Sequence, residues 1–211
     1  MTRSLFTEIN KFDQWAQLQY NVSQDEIGGE WECNYEHWDN IYNAFENFIG
    51  LTNPNEWSDK EKDRLLYIIA RDNETERLVA VLPEQALIVL AQYAIEHGHR
   101  DDKWQLAINL HKLSNKQLSE TLLEKLVNDE DEYVSRRALM ELAKVQSAKV
   151  EDYADLFWNR NKYGDMDEYQ RIAVLYALKT INSEQLDKYI RLAKQDGRQY
   201  LVENANKLER E

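Results

Sequence analysis

The feature that most constrains the fold is a recurring turn. An Asp followed within a few residues by an aromatic or apolar helix start returns in Arg71-Asp72-Asn73-Glu74, Arg100-Asp101-Asp102-Lys103-Trp104, Asp131-Glu132-Tyr133-Val134, Asp167-Glu168-Tyr169-Gln170 and Asp196-Gly197-Arg198-Gln199-Tyr200. From Asp72 to Asp101, Asp131, Asp167 and Asp196 the steps are 29, 30, 36 and 29 residues. A period of that size is the mark of a repeat architecture. An Asp at each turn suits the helix that follows, because its carboxylate accepts free backbone N–H groups and its charge complements the positive end of the helix dipole.

Between the turns the apolar residues keep helical spacing. Val150, Tyr153, Ala154, Phe157 and Trp158 form one such stripe, and Leu186, Tyr189, Ile190 and Ala193 form another. Six Gly and two Pro are too few for an all-β chain, which needs turn residues every ten positions or so. Ser58 with Glu61 and Ser114 with Gln117 have the spacing of capping boxes, Pro83 suits a first helical turn, and Gly98 and Gly164 stand where a helix ends in a left-handed residue.

These signals predict an all-α chain of five helix pairs: 58–71 with 74–82, 84–97 with 101–113, 115–128 with 131–146, 148–162 with 167–181, and 183–195 with 198–209. The run Ala86 to Leu90 is apolar nearly all round, as expected of a helix packed on both sides. Residues 1–55 differ. A helical run through Leu5, Phe6, Ile9, Phe12, Trp15 and Leu18, a break at Gly28-Gly29 and a helix over 35–49 read as an N-terminal cap, with 56–211 forming one continuous domain of repeats.

The segment Asp131-Glu132-Tyr133-Val134-Ser135-Arg136-Arg137-Ala138-Leu139-Met140-Glu141-Leu142-Ala143 resembles the second helix of a HEAT repeat, whose motif runs from an Asp through Val, Arg and Ala to Leu. Tyr169, Arg171, Ala173, Leu175 and Leu178 echo it with a one-residue slip, and Trp104, Ala107 and Leu110 echo it more faintly. Over residues 56–211 the chain is therefore similar to HEAT and armadillo proteins, with a shorter period and an Arg pair placed one or two positions late. The resemblance implies an α-α superhelix whose second helices line a concave face. On that face it assigns a basic column to Lys103, Arg136, Arg137, Arg171 and Arg198, with Trp104 beside it. The column reads either as a groove for phosphate or an acidic peptide, or as arginines paired with turn Asp and Glu residues.

The net charge of -13 is uneven: residues 1–60 hold 11 acids and 3 bases, and residues 61–211 hold 28 acids and 23 bases. A negative field repels phosphate backbones and attracts basic surfaces. The acidic cap also carries Trp31, Tyr35, Trp38, Asp39 and Tyr42, and eleven of the 23 aromatics fall within the first 57 residues. Aromatic anchors ringed by acid fit a basic protein partner, and Trp31 and Tyr35 are the rings expected at the surface. The alternative reading is that the stripe packs the cap onto the first repeat.

Signatures of chemistry are few. The chain has no phosphate-binding glycine loop, no Gly-x-Ser-x-Gly elbow and no His-Glu-x-x-His pattern. Cys33 and His37 are spaced to share a helix face but supply two ligands only, and His97 and His99 flank a turn glycine. The acidic run at 129–132 lacks the spacing of a calcium loop. No cofactor or metal is expected, and a single cysteine suits a reducing cytoplasm. The longest nearly uncharged apolar run, Ala86 to Ile95, is far below the roughly 20 residues of a membrane span.

The expectation is thus a soluble, cytoplasmic, non-enzymatic scaffold for a basic protein, in its most concrete form an immunity protein or antitoxin facing a nuclease-type toxin domain. A general interaction adaptor is the nearest alternative. A HEAT-like DNA alkylation-repair glycosylase is the remaining one, and the acidic balance argues against it.

Overall fold

The computed structural model describes residues 4–20 and 34–210. These form twelve α-helices and no strand, and they divide into two compact units, one on each side of the Asn109–Leu110 bond. Residues of the expected N-terminal cap share the first unit with the helices up to residue 109.

In the first unit, α1 (Leu5–Tyr20) buries Leu5, Ile9, Phe12 and Ala16, a helical stripe, against α2 (Trp38–Leu51) and α3 (Asp59–Arg71). The α3 start is the capping box read from the sequence. Ser58 N donates to Glu61 Oε2 at 2.8 Å, and Glu61 N donates back to Ser58 Oγ. Glu61 is correspondingly held below the usual carboxylate range, first by the Ser58 hydroxyl and then by its backbone N–H.

The first expected pair departs from plan. Its second member shrinks to the four residues of α4 (Arg77–Ala80), which packs on α2, and α3 packs instead against α5 (Glu84–His97) and α6 (Arg100–Ala107). The reason is the Asp72–Glu76 turn: Glu76 sits in the left-handed region at φ 52°, and Asp72 folds back to accept the Leu78 N–H at 2.7 Å. In α5, Pro83 occupies the N-cap rather than the first turn, and Ile88 and Val89 are only half-buried, so the helix has one covered face. Gly98 ends α5 in extended backbone (φ -77°, ψ 166°), not the left-handed form; a Cβ there would lie 2.3 Å from Asp102 Oδ1 and 2.7 Å from the Ala94 carbonyl oxygen. Glycine is needed because Asp102 crosses it to accept the His99 N–H at 2.9 Å. The helix expected over 101–113 stops at Ala107.

The second unit follows the sequence reading more closely. Three pairs, α7 (Lys116–Val127) with α8 (Glu132–Lys144), α9 (Val150–Asn159) with α10 (Asp167–Thr180), and α11 (Leu186–Asp196) with α12 (Gln199–Leu208), each pack together, and α10 packs against both α8 and α12. Asp131 caps α8 by accepting from Tyr133 N at 2.8 Å and Val134 N at 3.1 Å, as expected. At α7 the cap is Asn115, whose Oδ1 accepts the Leu118 N–H, and not Ser114.

Two turns of this unit are copies of one another. Gln146 (φ 60°) and Asn182 (φ 52°) end α8 and α10 in the left-handed region, and the following Ser147 and Ser183 donate their N–H groups to Leu142 and Leu178 carbonyls at 3.1 and 2.9 Å. Both are Schellman endings made without glycine. Each serine then bonds forward in the same way, Ser147 Oγ accepting from Lys149 N and Ser183 Oγ from Gln185 N, and each donates to a carboxylate of the preceding first helix, Glu120 in α7 and Glu151 in α9. Gly197, at φ 82°, ends α11 in the left-handed form.

Candidate functional site

Four of the five cap residues singled out in the sequence come together in the first unit; the fifth, Trp31, lies outside the described residues, as does Cys33. Tyr35, Trp38, Asp39 and Tyr42, with Glu36, form one wall of a cleft of about 320 Å³. Arg71 and Asp72 at the end of α3, with Glu74 and Thr75 of the turn before α4, form the other.

The aromatic wall is anchored from behind. Trp38 and Tyr42 stand one helical turn apart at the start of α2 and stack with ring centroids 5.5 Å apart and planes 22° apart. Tyr35 was the ring expected at the surface, but it is 5% exposed, because it packs edge-on against Phe12 at 5.1 Å and against Trp15 at 5.0 Å. Burial, and then the nearby Glu8 charge, push its hydroxyl pKa up.

The Tyr42 hydroxyl joins the walls. It donates to Asp72 Oδ1 at 2.7 Å and lies 3.0 Å from Thr75 Oγ1. Burial is the chief cause that pushes its pKa up to about 12, with Asp72 adding to the rise and Thr75 and Arg77 opposing it. Asp72 is itself buried and also accepts from Thr75 Oγ1 and Leu78 N. On the far side of Tyr42, the Arg77 guanidinium lies 4.3 Å from the ring centroid and 3.2 Å from Glu46 Oε1.

The electrostatics of the cleft follow from this arrangement. Its lining carries four carboxylates, Glu36, Asp39, Asp72 and Glu74, against the single guanidinium of Arg71, which is 1% exposed. Asp72 is occupied by its three donors, so Glu36, Asp39 and Glu74, all exposed, set the charge at the mouth. The field at such a mouth is negative and favours cations over anions. Sequence reasoning found the aromatic half and missed Arg71, Asp72, Glu74 and Thr75 as its partners; the Tyr42–Asp72 bond spans 30 residues and has no local signal.

The residues of the expected concave face fall in both units. Lys103, half-buried, and Trp104 lie in the first unit. The Trp104 ring is 6% exposed and donates its indole N–H to Asp101 at 3.0 Å, which makes it a core group. In the second unit Arg136 pairs with Glu132 at 2.8 Å and lies 4.8 Å from the Tyr133 ring and 5.6 Å from the Tyr169 ring. Arg137 donates to the Tyr133 hydroxyl.

Arg171 donates to Asp196, to the Trp158 carbonyl at 3.1 Å and to Asn161 at 2.7 Å, and Arg198 clasps the same Asp196 at 2.7 and 2.9 Å. Asp196 is therefore held below the usual carboxylate range, first by Arg198 and then by Arg171. Arg136 is thus charge-compensated by Glu132, and Arg171 and Arg198 by Asp196. Tyr169 and Tyr200, 38% and 52% exposed, stack 6.5 Å apart in the first turns of α10 and α12.

Among the described residues no group of three or more His, Cys, Asp or Glu is placed to hold a metal ion, and no helix is long and apolar enough to cross a membrane. Comparison with known proteins returns no match: no family model, no curated protein and no solved structure is significantly similar to this chain.

Proposed function

We propose that the chain is a non-enzymatic, cytoplasmic protein-binding scaffold of HEAT-like helix pairs that recognises a basic partner protein. Its most concrete version is an immunity protein or antitoxin that neutralises a nuclease-type toxin domain. The observation that carries this reading is the cleft on α2 and α3, where three aromatic rings meet an excess of carboxylates. Aromatic anchors in a partly desolvated pocket concentrate binding energy, and a fixed negative charge selects basic partners and speeds their approach.

The surroundings act in the same direction. Residues 1–109 hold 20 acids and 9 bases and so supply -11 of the total -13. A nuclease domain is basic because it binds phosphate, so an acidic protein that covers its nucleic-acid surface meets a complementary field. The copied Schellman turns and the α8–α10–α12 packing support the repeat reading of the second unit.

The test is titration of the chain with a basic nuclease-type toxin domain. A tight complex is expected, with affinity falling about tenfold or more as the salt rises from about 0.1 M to about 1 M, over which the Debye length shrinks from about 10 Å to about 3 Å. Absence of tight, salt-sensitive binding to that domain or to any basic protein overturns the reading.

A further inference from the structure

We infer that the stacked Tyr169–Tyr200 pair of the second unit is a contact surface for a basic segment of the partner protein, with a lysine or arginine side chain laid on the open face of the Tyr200 ring and paired with the Glu203 carboxylate. This rests on the protein-binding reading above and adds a second surface to it.

The first observation is exposure. Three of the exposed large apolar side chains, Met166, Tyr169 and Tyr200, gather at the starts of α10 and α12, with Met166 three residues before Tyr169 and Tyr200 stacked on Tyr169. Tyr42, Tyr93, Tyr176 and Tyr189 each donate their hydroxyl to an Asp or Asn of the chain. The hydroxyls of Tyr169 and Tyr200 bond to none of the described residues. Tyr169 carries Tyr200 on its ring and the Arg136 guanidinium at 5.6 Å from its centroid. Tyr200 meets Tyr169 alone, with no cation of the chain over it, and at 52% exposure its second face is open to solvent. Contiguous apolar surface of this kind, rich in tyrosine, marks protein contacts.

Charge selects the occupant. Glu203 follows Tyr200 by three residues, which places it beside the ring on one helix face. It is exposed and accepts only the Gln199 side-chain amide, at 3.0 Å. Asp165, four residues before Tyr169, is exposed and has no partner among the described residues. The nearby guanidinium groups are already committed, Arg136 to Glu132 at 2.8 Å and Arg198 to Asp196 at 2.7 Å. The next base of α12, Lys207, stands two turns beyond Tyr200. The uncompensated charge beside the rings is therefore negative, so it attracts a basic segment and repels phosphate or an acidic one.

The chain itself shows the recognition chemistry for both kinds of cation. The Arg136 guanidinium lies 4.8 Å from the Tyr133 ring centroid while pairing with Glu132, and the Lys62 ammonium lies 4.4 Å from the Tyr93 ring centroid while pairing with Asp59 at 2.7 Å. Each is a cation on a ring face with a carboxylate beside it. Tyr200 and Glu203 offer the same two groups with that cation left for the partner to supply.

The experiment titrates a fluorescein-labelled peptide of lysines and arginines spaced by glycines, followed by anisotropy, into the full chain carrying Glu36→Gln, Asp39→Asn and Glu74→Gln, which neutralise the cleft mouth. The same titration is run with Tyr200→Ala, Tyr200→Phe or Glu203→Gln added. All these substitutions are at exposed positions, and circular dichroism checks that each variant folds. Tyr200→Ala is expected to weaken binding about fivefold and Glu203→Gln about threefold, whereas Tyr200→Phe, which keeps the ring face, stays within about twofold. An affinity unchanged by Tyr200→Ala or by Glu203→Gln, or a loss in Tyr200→Phe equal to that in Tyr200→Ala, overturns the inference. So does a peptide that fails to bind. In each case a basic toxin domain that still binds the native chain keeps the protein-binding reading, and if neither peptide nor any basic protein binds, both fall.

Discussion

Replacing Phe12 by alanine is expected to destabilise the first unit by about 3–5 kcal/mol, the usual cost of emptying a buried aromatic site. Phe12 is fully buried on α1, and its ring meets Trp15 at 5.7 Å, Tyr35 at 5.1 Å, Trp38 at 5.3 Å and Tyr67 at 6.4 Å. It thereby ties α1 to the segment before α2, to α2 and to α3, and two of its neighbours are walls of the cleft. Because a domain is stable by only about 5–15 kcal/mol, a loss of this size lowers the denaturant midpoint of the unit severely. Leu18→Ala on the same helix is the control: Leu18 is 84% exposed, and a change within about 0.5 kcal/mol is expected. Urea denaturation followed by tryptophan fluorescence distinguishes the two. Similar midpoints for both variants would show that the ring cluster does not hold the cleft.

Asp72→Ala is expected to cost roughly 3 kcal/mol or more, because it removes one buried carboxylate that accepts from Tyr42 Oη, Thr75 Oγ1 and Leu78 N. The α4 helix has only four residues and no other side-chain cap, so the Leu78 N–H loses its partner. Tyr42 loses the bond that joins the two walls. Tyr42→Phe removes a single hydroxyl and leaves the Leu78 bond intact, so a smaller loss of about 1 kcal/mol is expected. Asp72→Asn keeps one acceptor and should fall between. The order Ala, Asn, then the Tyr42 variant, read from denaturant midpoints, checks the assignment; equal losses for all three would contradict it.

What the sequence reveals follows the range of each interaction. The Ser58–Glu61 box and the Asp131 cap span two or three residues, and both form as their spacing predicts. Periodicity locates α7 to α12 within a few residues because their apolar stripes face real neighbours. Register choices between adjacent, equally competent residues are harder: Ser114 and Asn115 both suit a cap, and burial of Ser119, Leu122, Leu123 and Leu126 on one face accompanies the start set by Asn115. The shortening of α4 was hidden because it depends on where the Asp72 carboxylate turns. At Gly98 the need for glycine comes from the close passage of Asp102, not from a left-handed backbone.

The chain carries a second repeat signal. Val145-Gln146-Ser147-Ala148-Lys149-Val150 and Ile181-Asn182-Ser183-Glu184-Gln185-Leu186 lie 36 residues apart and build the same turn. The candidate site was half legible for the same reason of range. Two rings of its aromatic wall, Trp38 and Tyr42, are one helical turn apart and visible as spacing, whereas the opposite wall comes from a turn some 30 residues later that only the packing of α3 and α4 brings alongside.

The central claim, that a basic partner docks on the acidic aromatic cleft, is tested most directly by calorimetric titration of a basic nuclease-type toxin domain against the native chain and against the Glu36→Gln, Asp39→Asn, Glu74→Gln triple variant. The expected result is a loss of about a hundredfold in affinity, near 2.8 kcal/mol, with the far-ultraviolet dichroism unchanged. An affinity equal to that of the native chain would contradict the claim and move the binding surface off the cleft.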